Sequence, residues 1–133
     1  MSSKPFRFLS LLAAVALAAS SAGAATLDLT ADAVAGKPDL TTGAGGTASA
    51  TNLTSSARVA EDPVTGVLWV ADWSGSRVLR FSSAAGFTNG EAANLVLGQS
   101  NFTLSACNSG GLSASTLCFP YGVAVDQAGR VYV

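Results

Sequence analysis

Val67-Leu68-Trp69-Val70-Ala71-Asp72-Trp73-Ser74-Gly75-Ser76-Arg77-Val78-Leu79-Arg80-Phe81 is the stretch that decides the fold. Val67 to Ala71 is an unbroken apolar run of strand formers, and Arg77 to Phe81 is a second, more polar one. Between them, Asp72 to Ser76 supplies a short acceptor side chain, hydroxyls and a glycine that tolerates positive φ. A five-residue polar link between two such runs reads as a β-hairpin. Its first strand is apolar on both faces and is expected to be covered on both.

Outward from the hairpin, the chain reads as short strands separated by turns and two long loops. Ala57–Asp62, Gly66–Ala71, Arg77–Phe81 and Asn94–Gly98 read as four strands, called a, b, c and d. Upstream, Ala33–Gly36 reads as a further short strand after a lead-in at Thr26–Thr30, and Lys37–Ser56 as a long Gly/Thr/Ser/Ala loop. Downstream, Gln99–Phe119 is a second long loop, and Tyr121–Val125 and Arg130–Val133 are two more strands. The parts repeat. Ala33–Thr41 aligns with Leu95–Thr103, Ser49–Leu53 with Ser113–Leu117, Val59–Asp62 with Val123–Asp126, and Gly66–Val70 with Gly129–Val133. The offsets are 62, 64, 64 and 63, so one register explains all four. An internal repeat of this length marks a repeat architecture, and a unit of four consecutive strands is the blade of a β-propeller. Asp62 to Gly66 and Asp126 to Gly129 carry the Asp-first, Gly-last signature of type I turns. In an antiparallel meander the b–c turn and the d–a loop emerge at one end, and the a–b turn and c–d link at the other.

Composition narrows the function classes. The 133 residues include no His, which removes Ser-His-Asp and Cys-His catalysis and histidine metal sites. The 7 basic residues are scattered, which argues against nucleic acid as a partner. Acidic residues are too dispersed for a calcium loop. Lys4 and Arg7, the apolar stretch Phe8–Ala19 and the small residues Ser20–Ala25 read as a signal peptide over residues 1–24, cut after Ala24. The apolar stretch is short for a membrane span. Cleavage leaves 5 of the 7 basic residues against all 8 acidic ones, a net charge of −3. The expected location is periplasmic, extracellular or at the cell surface, with no stable membrane span once the leader is removed. Cys107 and Cys118 lie eleven positions apart, and an oxidising compartment favours their pairing. So short a loop gains at most roughly 2–3 kcal/mol.

Phe119-Pro120-Tyr121-Gly122-Val123-Ala124-Val125-Asp126-Gln127-Ala128-Gly129-Arg130-Val131-Tyr132-Val133 resembles the opening of an NHL repeat. Val70-Ala71-Asp72 followed by Arg77-Val78-Leu79-Arg80-Phe81 resembles its second half. Val96-Leu97-Gly98-Gln99-Ser100-Asn101-Phe102 is similar to the segment that precedes a repeat in bacterial exported members. Gly75 stands where that family usually carries Asn, Trp73 is unusual in a turn that is normally small and polar, and Ser55-Ser56-Ala57-Arg58 replaces the FPxG part. The resemblance implies an all-β fold of propeller blades. One complete blade lies at 57–98, residues 25–56 form a lead-in with a lone outer strand and a long loop, and residues 99–133 form an inter-blade loop and the start of the next blade. One and a half blades are expected to need further blades or partner chains to close, so the chain reads as an N-terminal fragment of a longer propeller.

Candidate sites follow from the turn and the loops. Asp72 and Arg77 bracket the b–c turn. They read either as a polar site on the loop face or, the favoured reading, as a structural pair that caps the turn and ties a neighbour. Trp73 reads equally as a ligand anchor or as a residue packed under the long loop. Loops longer than about 12–15 residues are often functional, which singles out Lys37–Ser56 and Gln99–Phe119. The expected function is binding: a scaffold presenting its loop face to a protein, glycan or small ligand, with Asp72, Trp73 and Arg77 as candidate binding residues. No catalytic residue, metal site or cofactor is expected. The alternatives are a metal-dependent lactonase- or lyase-like propeller enzyme, which the resemblance allows, and a structural cell-surface protein.

Overall fold

A computed structural model describes residues 31–42 and 46–133. The expected signal peptide at residues 1–24 and the lead-in to Thr30 lie outside the described residues. The fold is all-β. Ser56–Glu61 (β1), Val67–Asp72 (β2), Arg77–Ser83 (β3) and Leu95–Leu97 (β4) form an antiparallel sheet in the order β1-β2-β3-β4. Ala124–Val125 (β5) and Val131–Tyr132 (β6) form a separate two-stranded antiparallel sheet. No closed barrel is formed by the described residues. The expected meander is therefore present, with strand bounds within about two residues of those read from the sequence. β5 lies alongside β1 without sharing a ladder with it.

Register explains the core. Val59 of β1 pairs with Val70, Val70 with Leu79, and Leu79 with Val96. This row crosses all four strands on one face. Val70 and Leu79 join Leu53, Phe81 and Ala93 in a buried cluster, with Ala35, Leu68, Phe87, Val96 and Phe102 packed against it. Phe81 and Phe87 meet edge-on, with ring centroids 5.6 Å apart. Burial of each large side chain contributes about 1.5–3 kcal/mol, so this one cluster holds the sheet. Both ends of the meander stay thinly covered. Val59 is 63% exposed, and Val67, Leu68 and Trp69 are only partly buried, while Val70, Ala71 and Asp72 are buried. The expectation that β2 is covered on both faces thus holds for its second half alone.

Ala33–Gly36 is not a strand. It runs irregularly into a turn at Ala35–Gly36, with Gly36 at φ +75°. Its repeat counterpart, Leu95–Leu97, pairs with β3. Ala33–Gly36 has no neighbouring strand among the described residues, and an extended segment without a ladder partner is not held as a strand. The segment is instead tied to the link after β3: the Val34 amide donates to Asn89 Oδ1 at 2.8 Å, and the Gly90 amide donates to the Lys37 carbonyl at 2.8 Å.

The repeat seen in the sequence is also a repeat of contacts. Asp39 Oδ1 accepts from the Thr41 amide and hydroxyl and the Thr42 amide. Asn101 Oδ1 accepts from the Thr103 amide and hydroxyl and the Leu104 amide. The hydroxyl of Thr41 leads the groups that hold the Asp39 carboxyl down at about 2; Asn101 makes the same turn without a charge. The Thr51 amide donates to Ser49 Oγ as the Ser115 amide does to Ser113 Oγ. Asp62 Oδ1 caps the Val64 amide and Asp126 Oδ1 the Ala128 amide. Gly36 at φ +75° lies hard against Leu53, and Gly98 at φ +89° lies hard against Leu117. Two clefts correspond in the same way. One of about 370 Å³ is lined by Val34, Ala35, Leu53, Leu68 and Val70 among others. Another, of about 490 Å³, is lined by Val96, Leu97, Leu117, Val131 and Val133 among others.

Cys107 and Cys118 are bonded, as expected. A bonded pair is compatible with an oxidising compartment, and no helix among the described residues is long and apolar enough to cross a membrane. Changing both cysteines to Ser should lower stability by about 2–3 kcal/mol, read as the unfolding free energy extrapolated from urea, with a slope no smaller than that of the unaltered protein because the unfolded chain loses a constraint. A larger loss would mean that the loop carries more of the fold than its packing indicates.

Candidate functional site

The b–c turn is built around one acceptor. Trp73 to Ser76 closes as a turn, the Ser76 amide donating to the Trp73 carbonyl at 3.1 Å. Asp72, the last residue of β2, turns its carboxylate inward rather than to solvent and is fully buried. Its Oδ2 accepts from Arg77 Nε at 2.8 Å, and both side chains are 0% exposed. Its Oδ1 accepts from the Thr54 amide at 3.0 Å, the Thr54 hydroxyl at 2.7 Å and the Ser55 amide at 2.8 Å. The carboxylate therefore fixes the end of the first long loop. Gly75 is required here for space: a Cβ on it would press on the Asp72 carboxylate and lie 2.9 Å from Arg77 Nε.

Arg77 completes the clamp. One terminal nitrogen donates to the Asn52 carbonyl at 2.7 Å, in the first long loop, and the other donates to the Phe102 carbonyl, in the second. Three of its five N–H bonds are used, one from each nitrogen, and the fork geometry of guanidinium lets one buried cation reach three acceptors in different directions. Gln99 adds a second tie. Its Nε2 donates to the Ser76 carbonyl at 2.9 Å and to the Ala106 carbonyl at 2.8 Å. Two carbonyl acceptors fix the amide's orientation, since the reversed amide would set oxygen against oxygen. Gln99 Oε1 is buried and has no partner among the described residues.

Burial opposes ionisation of Asp72, but the bonds from the Ser55 amide, the Thr54 hydroxyl, Arg77 and the Thr54 amide outweigh it and hold the carboxyl below its ordinary 3.8. A group whose folded pKa is depressed contributes stability that is fully present above the unfolded value and is lost as pH falls through the folded one. Stability should accordingly lose the Asp72 contribution below about pH 4, and Asp72→Asn should flatten that part of the profile. Urea midpoints taken from pH 6 down to pH 3 measure it. Half-buried Asp39, Asp62, Glu91 and Asp126 are shifted in the same direction by their hydrogen bonds and add to the acid limb.

Of the three residues singled out from the sequence, Asp72 and Arg77 thus meet each other inside the protein, and Trp73 is the one that reaches the surface. Trp73 is 41% exposed and packs against Phe119, with ring centroids 5.0 Å apart and planes tilted by 34°. Trp73 is thus at the surface and in contact with the long loop at once. Phe119 follows directly on the bonded Cys118, and its amide makes a long contact of 3.5 Å to Ser76 Oγ. Tyr121 lies beside Trp73 across a cavity of about 340 Å³ that Ser55, Ser56 and Ala57 also line. Gln99 and Phe119 bound a loop that the sequence singles out, but neither they nor Tyr121 stand among its candidate binding residues. Their proximity to the turn comes from the course of a loop that no periodicity describes.

Among the described residues, no three His, Cys, Asp or Glu side chains come together in a way that could hold a metal ion. Around the turn at 126–130, Asp126 accepts from Arg130 Nε at 2.7 Å and from the Tyr132 hydroxyl at 2.9 Å. These exposed groups satisfy one another. No protein-family model, curated protein or solved structure matches the chain.

Proposed function

We propose that the chain belongs to an exported β-propeller of the NHL-repeat type and serves as a binding scaffold, taking a ligand on the end where the b–c turn and the d–a loop emerge. One observation carries the reading. The Asp72–Arg77 pair fixes the b–c turn and both long loops at once, through Thr54, Ser55, Asn52 and Phe102. A pre-ordered loop face binds without a large ordering cost, which is what a scaffold needs. The repeated turns and the two corresponding clefts support the propeller part of the proposal, because each cleft would take a neighbouring blade. The position of β5 beside β1 supports it further: first strands of successive blades are neighbours around a propeller axis.

The test is hydrogen exchange on the exported protein from its own host, with and without the host's other exported material. The proposal expects slowed exchange at residues 72–76 and 99–119 on addition. Protection confined to the a–b turn and the c–d link, or none, would reject the loop-face reading. Metal content of the same protein separates the enzyme alternative, which needs a bound ion.

A further inference from the structure

We propose that Trp73, Phe119 and Tyr121 form a platform for a neutral glycan; this rests on the loop-face reading above and names its ligand class. The three rings come from two segments more than forty residues apart in sequence and are 41%, 50% and 70% exposed. Among the described residues, no other part of the loop face gathers large apolar side chains at the surface in this way. Exposed clusters of this kind mark interaction sites more often than they reflect chance. Their placement is built rather than incidental. Phe119 has φ +49°, a left-handed conformation that a bulky side chain adopts only when its surroundings hold it there. The disulfide at Cys118 and the ring of Pro120 fix it on both sides, and Trp73 stacks against it.

Charge decides the ligand class. The cavity beside Trp73 and Tyr121 is lined by Ser55, Ser56 and Ala57, with no carboxylate and no cation. Asp72 and Arg77 are buried beneath the turn and neutralise each other. A charged ligand would lose hydration here and gain no partner. A pyranose suits the site better. Its faces carry C–H bonds that lie favourably over the electron-rich face of an aromatic ring, while its edges carry hydroxyls. The hydroxyls of Ser55, Ser56 and Tyr121 make no hydrogen bond to another described residue and line the same space. They are available to the edge of a sugar whose face rests on the rings. A proline-rich peptide would use the rings but would leave most of these hydroxyls without a partner.

The test is a calorimetric titration of the full mature protein, a readout that does not depend on Trp73. Cellohexaose, maltohexaose and chitohexaose are the neutral probes, hexagalacturonate the charged one, and decaproline the peptide. The expected result is saturable binding of at least one neutral hexasaccharide. Trp73→Ala and Tyr121→Ala should each weaken it by about tenfold or more, as loss of a central aromatic anchor does. Trp69→Phe, on β2 beneath Arg80, should leave it intact. No binding of any neutral hexasaccharide overturns the proposal, as does binding that survives both Trp73→Ala and Tyr121→Ala. Trp73-dependent binding of decaproline or hexagalacturonate alone overturns the glycan assignment and leaves the loop-face reading standing. Absence of any protection of the loop face in the exchange experiment overturns both.

Discussion

Asp72→Asn is expected to lower the stability of the protein by about 3–5 kcal/mol, the usual cost of removing one partner of a buried ion pair. The substitution keeps the size of the side chain and removes its charge. Arg77, 0% exposed, would then keep its cation with no counter-charge. An asparagine can still turn its oxygen to the Thr54 and Ser55 amides, but its NH₂ would then face Arg77 Nε, donor against donor. Small domains are stable by only about 5–15 kcal/mol, so the variant should be marginal. The loss should be read as a shift of the urea midpoint. Arg130→Met provides the contrast, because the Arg130–Asp126 pair is exposed and should matter little. The double variant Asp72→Leu with Arg77→Met should recover part of the stability, since no buried charge is left unpaired. It should not recover the order of the loops, because Asn52 and Phe102 would lose their shared donor. A cost for Asp72→Asn as small as that of Arg130→Met would mean that the pair is solvated and not the clamp described here.

Gly98→Ala is expected to cost about 2–5 kcal/mol, from a left-handed backbone that an L-residue resists and from a methyl group forced into occupied space. Gly98 sits at φ +89°, and the added Cβ would lie 2.6 Å from both Cβ and Cγ of Leu117. Leu117 belongs to the backbone of the disulfide loop, its carbonyl accepting from the Asn108 amide at 3.0 Å. It has little freedom to retreat. Truncating Leu117 to Ala in the same chain should relieve the contact but not the backbone strain. The double variant should therefore lose less than the two single losses combined. Gly36→Ala should behave alike, because Gly36 meets Leu53 in the same way one repeat earlier. Similar costs at the two positions would make the repeat an energetic fact as well as a pattern.

The parts of this fold that were legible in the sequence are those with local causes. Val67–Ala71 and Arg77–Phe81 are β-rich runs around a turn segment, and they form β2 and β3. Asp62 and Asp126 precede turns closed by Gly66 and Gly129, and each caps its turn. Cys107 and Cys118 are bonded. Ala33–Gly36 reads as a strand from its short apolar run, and its repeat counterpart is one. The pattern carries over, but the ladder partner does not. The clamp was legible only in its two charged ends. Arg77 ends on the carbonyls of Asn52 and Phe102, and a backbone acceptor leaves no mark on residue identity. Asp72 reaches back to amides 17 and 18 positions earlier. The meeting of Trp73 with Phe119 depends on a left-handed phenylalanine, which no propensity would indicate.

The central claim is that Asp72 and Arg77 hold both long loops to the sheet. Residue-resolved hydrogen exchange tests it most directly, comparing the unaltered protein with Asp72→Asn under conditions where both are folded. The Thr54 and Ser55 amides lie in a loop, and among the described residues only the Asp72 carboxylate accepts from them. The account predicts that they exchange slowly, as strand amides do, and that Asp72→Asn speeds them while the β2–β3 amides stay protected. Fast exchange of Thr54 and Ser55 in the unaltered protein would contradict it.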